Sequence, residues 1–189
     1  MKVTILGCGG SMGVPQLGNL WGACDPTNPK NRRLRSSVLV QQDDTTILID
    51  TGPDLRQQLL AASVNHIDAV LYTHAHSDHT HGVNDLRPFS LQHKKPIDIY
   101  GDETTLEEIK RFFPVGFTPL PEKGSIYKLH LIPNIITGPF HLGSLNVEAF
   151  PQDHGHGMIS QGYKINRMAY STDLKSLSQA TLDMLKGKL

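Results

Sequence analysis

Cysteine is scarce in this 189-residue chain, which has only Cys8 and Cys24. Two thiols are too few for a disulfide scaffold, and a reducing cytoplasm is the simpler setting. An excess of either charge is also missing, because 18 Lys and Arg balance 18 Asp and Glu. No global field therefore draws the chain to nucleic acid or to a membrane. Long apolar runs are lacking too. "MKVTIL" breaks into "GCGG" before a signal-peptide core could form, and nothing approaches the length of a membrane span. A composition 38% apolar and 19% charged argues against disorder, and the length suits one domain, 1–189, with a real core.

Histidine is what the chain has in unusual density. "YTHAHSDHTHG" places four of its ten histidines and an aspartate between His74 and His81. Neutral imidazole is the commonest ligand for zinc and similar metals. On a loop leaving a strand, His74 and His76 at i and i+2 point the same way, while Asp78 and His79 turn toward a neighbouring point. That spacing suits two adjacent cations better than one. Two further ligands are expected at the ends of β-type runs: His154 in "FPQDHGHG" and Asp173 in "MAYSTD". The two oxygens of Asp173 could bridge a pair of cations. A helix cap for Asp173 and a solvated loop for His154 are the ordinary alternatives.

The rest of the pattern alternates strands and helices. Strands are expected at Val3–Leu6, Ser37–Gln41, Thr46–Asp50, "HIDAVLYTH", "PIDIYG", "IYKLHLIP", "LNVEAFP" and "GYKINRMAYS". Helices are expected after "TGPD", over "DETTLEEIKRFF" with Asp102 or Thr104 as cap, and over "SLSQATLDMLK". Sheets covered by helices, α/β or α+β, follow from this mixture. The long polar stretch between "GCGGSMGVP" and Arg35 reads as a functional or mobile loop.

"THAHSDH", the upstream "ILIDTG", the histidine of "QDHG" and the aspartate of "AYSTD" together resemble the metallo-β-lactamase superfamily of dinuclear metallohydrolases. "GCGGSMGVP", "WGACDPTNPKNRR" and "HGVNDLRPF" look most like its PhnP-type phosphodiesterases, from Met1 to about Lys186. The resemblance implies an αββα sandwich with two divalent ions, Zn or Mn, at one edge of the paired sheets. It implies that His74, His76 and His154 hold one ion, Asp78 and His79 the other, and Asp173 bridges both. Asp78 and Asp173 then take part in catalysis, in which a hydroxide shared by metals about 3.5–4 Å apart attacks phosphorus in line. The expected substrate is a small cyclic or nucleotide-like phosphodiester. Relatives continue past "LDMLKGKL" with a further strand, helix and histidines. A C-terminally truncated domain, an incomplete second metal site and a homodimer through an exposed sheet edge are therefore expected.

Four other residues are candidates for substrate contact: His81 and His156, one step from ligands, and Asp85 and Arg87 in "NDLR". Solvated loops and a surface salt bridge explain them equally well. Asp50 is expected to hydrogen-bond the histidine loop, and Lys30, Arg32, Arg33 and Arg35 to form either a phosphate grip or a solvated face. "GCGGSMG" misses the dinucleotide spacing and reads better as a loop allowing close backbone approach to the metal site. Cys8 is expected to be a buried small hydrophobe. Two other functions compete. One is ribonuclease Z-like processing of transfer-RNA precursors, for which the chain shows no basic RNA-binding arm. The other is a catalytically impaired remnant that binds metal or nucleotide.

Overall fold

A computed structural model describes residues 1–117 and 129–186. Two sheets face each other. The first has strand order β1 (Lys2–Gly7), β2 (Ser37–Gln42), β3 (Thr45–Ile49), β4 (Ala69–Leu71), β5 (Ile97–Gly101) and β6 (Leu131–Ile135). Its first three strands are antiparallel neighbours, and β3 to β6 run parallel. The second sheet is antiparallel, in the order β10 (Met168–Tyr170), β9 (Met158–Ile165), β8 (Leu145–Gly155) and β7 (Phe140–Leu142).

The period-2 alternation of strands explains the layers. In β2 and β3, Val38, Val40, Ile47 and Ile49 face the second sheet, where they pack with Leu145, Val147, Tyr163 and Ile165. The alternate residues Leu39 and Leu48, with Val70 of β4, face the helices. There α1 (Leu55–Ala61) contributes Leu55 and Leu59, and α4 (Glu103–Phe112) contributes Leu106 and Ile109. Two shorter helices, α2 (Ser77–Thr80) and α3 (Arg87–His93), flank the same side. Beyond the second sheet lies α5 (Gln179–Leu185), whose Thr181 hydroxyl donates to the Pro151 carbonyl of β8. The order of layers is the αββα sandwich.

The local signals were sound where a cap or a turn is encoded. Asp102 caps α4 by accepting from Thr105 N–H at 2.9 Å, and Ser178 does the same for α5 with Thr181 N–H at 3.1 Å. Asp43, at φ 53°, closes the β2–β3 hairpin in a conformation aspartate tolerates. Several expectations need correction. β4 has three residues, because the chain bends away after Leu71 to form the histidine loop. The β8 strand continues through "PQDHG", since β9 pairs with it to Gly155. Short α3 and β7 were not anticipated, and the beginning of "IYKLHLIP" lies outside the described residues. Cys8 is exposed rather than buried.

Candidate metal centre

The ligand-bearing loops leave the carboxyl ends of β3 and β4, where parallel strands stop pairing and open a crevice. Asp50 follows β3 directly, with φ 61° and no exposed surface. Its Oδ1 accepts from the Thr73 backbone N–H at 2.8 Å. Its Oδ2 accepts from the Thr73 hydroxyl at 2.8 Å and from His79 Nδ1–H at 2.7 Å. Three donors on one buried carboxylate fix both ends of the histidine loop.

Two glycines let that loop sit close. A Cβ on Gly52 would collide with the Asp78 carbonyl, and one on Gly82 with the Gly52 carbonyl. The approach allows Thr51 N–H to donate to His79 O and Gly82 N–H to Thr51 O, both at 2.7 Å. By contrast, Gly7 and Gly9 of the glycine-rich loop pack on the Arg33–Arg35 backbone. The close approach expected there is to a neighbouring chain segment.

The second sheet is tied to the same loop. Gln161 N–H of β9 donates to Thr73 O at 2.8 Å, and the Tyr163 hydroxyl donates to Tyr72 O. The buried Gln152 side chain of β8 donates through Nε2 to Ser160 Oγ and Thr172 O, and accepts from Ser171 Oγ. Next to it, Asp153 accepts from Ser176 Oγ and Gly155 N–H. These contacts hold the Ser171–Ser176 turn, and so set Asp173 opposite His154.

The result is two groups of potential ligands. One ligand atom each from His74, His76, His154 and Asp173 lies within 4.8 Å of the others, and the same holds for Asp78, His79 and Asp173. Asp173 Oδ2 is the hub, 3.2 Å from His79 Nε2, 3.5 Å from His154 Nε2 and 3.7 Å from His74 Nε2. Asp78 Oδ2 lies 3.4 Å from His79 Nε2.

Hydrogen bonding fixes which nitrogens point inward. The Thr73 hydroxyl gives its proton to Asp50, so at 2.9 Å it can only accept from His74 Nδ1–H. His74 Nε2 is thereby left unprotonated toward the group, 3.1 Å from His76 Nδ1. His154 Nε2 is buried without a hydrogen-bond partner. Convergent imidazole lone pairs around one carboxylate oxygen are costly alone and are what a divalent cation satisfies. The residues present fit metal ions.

Electrostatics separates the two groups. Burial, reinforced by the neighbouring imidazoles His79 and His76, pushes His74 down to about 3. Burial, the largest single influence, pulls His79 down, but Asp50, Asp173 and Asp78 together outweigh it, and His79 rises to about 12. The hydrogen bond from His79 is the largest influence lowering Asp173 to about 2, against the opposing effect of burial. The same partner lowers Asp78.

This architecture, with its histidine loop between two sheets, is what a comparison with known proteins returns. Residues 45–188 match the model of the beta-lactamase superfamily domain. The chain belongs to the beta-lactamase superfamily. A crystal structure of a diphosphatase from the PhnP family superposes with a TM-score of 0.86 at 34% identity, covering 98% of this chain and 70% of that one. An octanoyltransferase of Porphyromonas gingivalis is 35% identical over 190 residues, 99% of this chain and 37% of that protein. A ribonuclease Z of Clostridium acetobutylicum is 26% identical over 179 residues, 88% of this chain and 50% of that protein. The chain thus spans half or less of the length of these two curated relatives.

The remaining candidates lie apart. Asp85 and Arg87 line a shallow cavity of about 410 Å³ with Pro88 and Leu91, and no residue of either ligand group borders it. His156 is exposed at φ 52° in the β8–β9 turn. His81 packs against Phe112 and Phe113. Arg35 is committed to Asp54 at 2.8 Å and to Ser11 O at 2.9 Å, and Arg32 lies over Trp21. The surface that does border Asp173 is a groove of about 550 Å³ between the β1 and β10 edges. Its polar wall includes Gly9, Gly10, Ser36 and Thr172, and its floor includes Val3, Ile5 and Met168. Sequence reading missed this groove and the Gln152 clamp, since both arise only when the two sheets meet.

Proposed function

We propose that this chain carries a dinuclear metal hydrolase centre acting on small phosphodiesters, cyclic or nucleotide-like. The observation that carries this reading is the Asp173 carboxylate shared between the ring nitrogens of His74, His76 and His154 on one side and His79 with Asp78 on the other, the buried His154 Nε2 lacking a hydrogen bond. His74, His76, His154 and Asp173 would hold one divalent ion, Zn or Mn, and Asp78, His79 and Asp173 the second. Such ions supply Lewis-acid polarisation of a phosphoryl oxygen and a water acidic enough to act at neutral pH.

The chain's own residues do the rest. Asp50 holds His79 with Nδ1 protonated, so that Nε2 faces Asp78 and Asp173. Thr73 sets the His74 tautomer. The groove bordered by Gly9, Gly10 and Asp173 has the volume of a small-ligand site, and its glycine wall leaves room for phosphoryl oxygens. Zn²⁺ and Mn²⁺ both suit imidazole with carboxylate.

Similarity to ribonuclease Z supports a second reading, cleavage of transfer-RNA precursors. Assays with bis-p-nitrophenyl phosphate, a 2′,3′-cyclic nucleotide and a transfer-RNA precursor, each with added Mn²⁺ or Zn²⁺, separate the two. Hydrolysis of the small esters that His76→Ala abolishes is expected. Cleavage of the RNA alone would favour the second reading, and metal binding without turnover of any substrate would overturn both.

A further inference from the structure

We propose that the groove between the β1 and β10 edges takes an apolar alkyl group carried on the phosphate ester, with the phosphate at the Asp173 end. The ester rests on the hydrolase reading, but the binding is read without turnover.

Among the described residues β1 and β10 are edge strands, paired only with β2 and β9. Directly opposed residues of an antiparallel pair share a face. Val3 opposes Val40 and Ile5 opposes Val38, so both turn toward the second sheet, as their partners do in the core between the sheets. Val38 and Val40 are 3% and 0% exposed, whereas Val3 and Ile5 are 41% and 69% exposed. The difference is cover. The second sheet stops at β10, and a face with the chemistry of core stays open as the floor of the groove of about 550 Å³.

The groove has a direction. β1 ends at Gly7, opposite Ser37, whose hydroxyl donates at 3.1 Å to the backbone carbonyl of Asp50, the residue that anchors the histidine loop. β10 leads through Ser171 and Thr172 to Asp173. Both strands therefore run toward the metal groups. At about 3.3 Å per residue, Ile5 lies roughly 7 Å and Val3 roughly 13 Å back from Gly7. Among the described residues lining the groove, Asp173 alone carries a charged side chain. The hydroxyls of a sugar laid along Val3, Ile5 and Met168 would lose water and find few partners. An alkyl chain gives up nothing polar there and removes apolar surface from water. A charged phosphate at one end and a hydrocarbon at the other match the two ends of the groove.

Equilibrium binding of methyl, butyl and hexyl phosphate, each in excess Zn²⁺, reads the groove. Affinity is expected to rise about two- to fourfold per added methylene, as for partial to full burial of a CH₂ group. Ile5→Thr and Val3→Thr keep the branched shape that suits a strand but put a hydroxyl on the floor, and each should flatten the rise. Ile135→Thr makes the same exchange at a 53% exposed position of β6, the opposite edge of the sheet, and should leave it unchanged. Hexyl phosphate should also shield Cys8, exposed on the groove wall, from iodoacetamide in a Cys24→Ser background, a readout that leaves the floor intact. Equal affinities across the series, no binding of its longest member, or unshielded Cys8 would overturn the assignment. So would a rise that survives both floor variants with unchanged circular dichroism. Sedimentation showing a dimer that Ile5→Thr dissociates would give the floor to a second copy of the chain and overturn it too. Hydrolysis of bis-p-nitrophenyl phosphate with a flat series sinks the alkyl site and leaves the hydrolase standing, and a rising series without turnover of any ester does the reverse.

Discussion

The two ligand groups share Asp173 but are built on opposite electrostatic terms. In the first, three imidazoles meet one carboxylate, and His74 is held near pKa 3, so a cation finds its nitrogen bare at neutral pH. In the second, His79 sits among Asp50, Asp78 and Asp173 and is held near 12, so a cation must displace a proton there. Among the described residues the first group offers four potential ligands and the second three. Surrounding a histidine with histidines prepares it for metal; surrounding it with carboxylates prepares it for either metal or proton. Unequal affinity is the consequence.

Removing the shared residue should erase the contrast. Asp173→Asn is expected to lower the affinity of both groups by more than about a hundredfold, since removing even an outer hydrogen-bond partner costs about 10–100-fold. Calorimetric titration with Zn²⁺ reads this directly, and loss confined to one group would show that Asp173 does not bridge. Asp50→Asn should sharpen the contrast instead. The second group is expected to weaken about 10–100-fold, because His79 loses the partner that fixes its tautomer, and the first group by less.

Proton competition gives the next largest effect. With His79 raised, each unit of falling pH should weaken the second group about tenfold, one proton being displaced per ion. The same titration at pH 6 and pH 8 tests it, and a pH-independent second equivalent would contradict it. Without added metal the signs separate as well. The stability that protonated His79 contributes is fully present below its unfolded value near 6.5 and is lost as pH rises through about 12. His74, lowered, acts the other way: stability falls as pH drops from about 6.5 toward 3, where the unfolded chain takes up the proton. Urea denaturation across pH checks both limbs.

Smaller effects belong to the scaffold. Gln152→Leu removes the donor to the buried Ser160 hydroxyl and to the half-buried Thr172 carbonyl and should cost about 1–3 kcal/mol of stability, while the exposed Ser171 hydroxyl turns to water. It should also weaken both groups together, because the clamp positions Asp173. Asp102→Ala removes the α4 cap, a residue of neither ligand group, and should cost about 1 kcal/mol with metal affinity unchanged.

The loop residues that converge in the two groups were legible as candidate ligands because they sit within six residues, His74 to His79, and their spacing is itself the chemical signal. Asp50 was legible as a hydrogen-bonding partner from "ILIDTG", where an aspartate ends an apolar strand. Asp173 and His154 could be named only as ends of β-type runs, because their meeting depends on how the second sheet docks. Gln152 carries no sequence signal, being one polar residue among the alternating positions of β8. The open groove was invisible for a similar reason. The sequence reading places Val3 and Ile5 in a strand without assigning a face, and both are exposed on the groove floor, with Cys8 on the same wall.

Counting the ions in a Zn²⁺ titration of the purified chain at pH 7.5 tests the paired-group geometry most directly. One tightly held equivalent is expected, followed by a second that is weaker and strengthens as pH rises. No tight equivalent, or two of equal strength insensitive to pH, would contradict it.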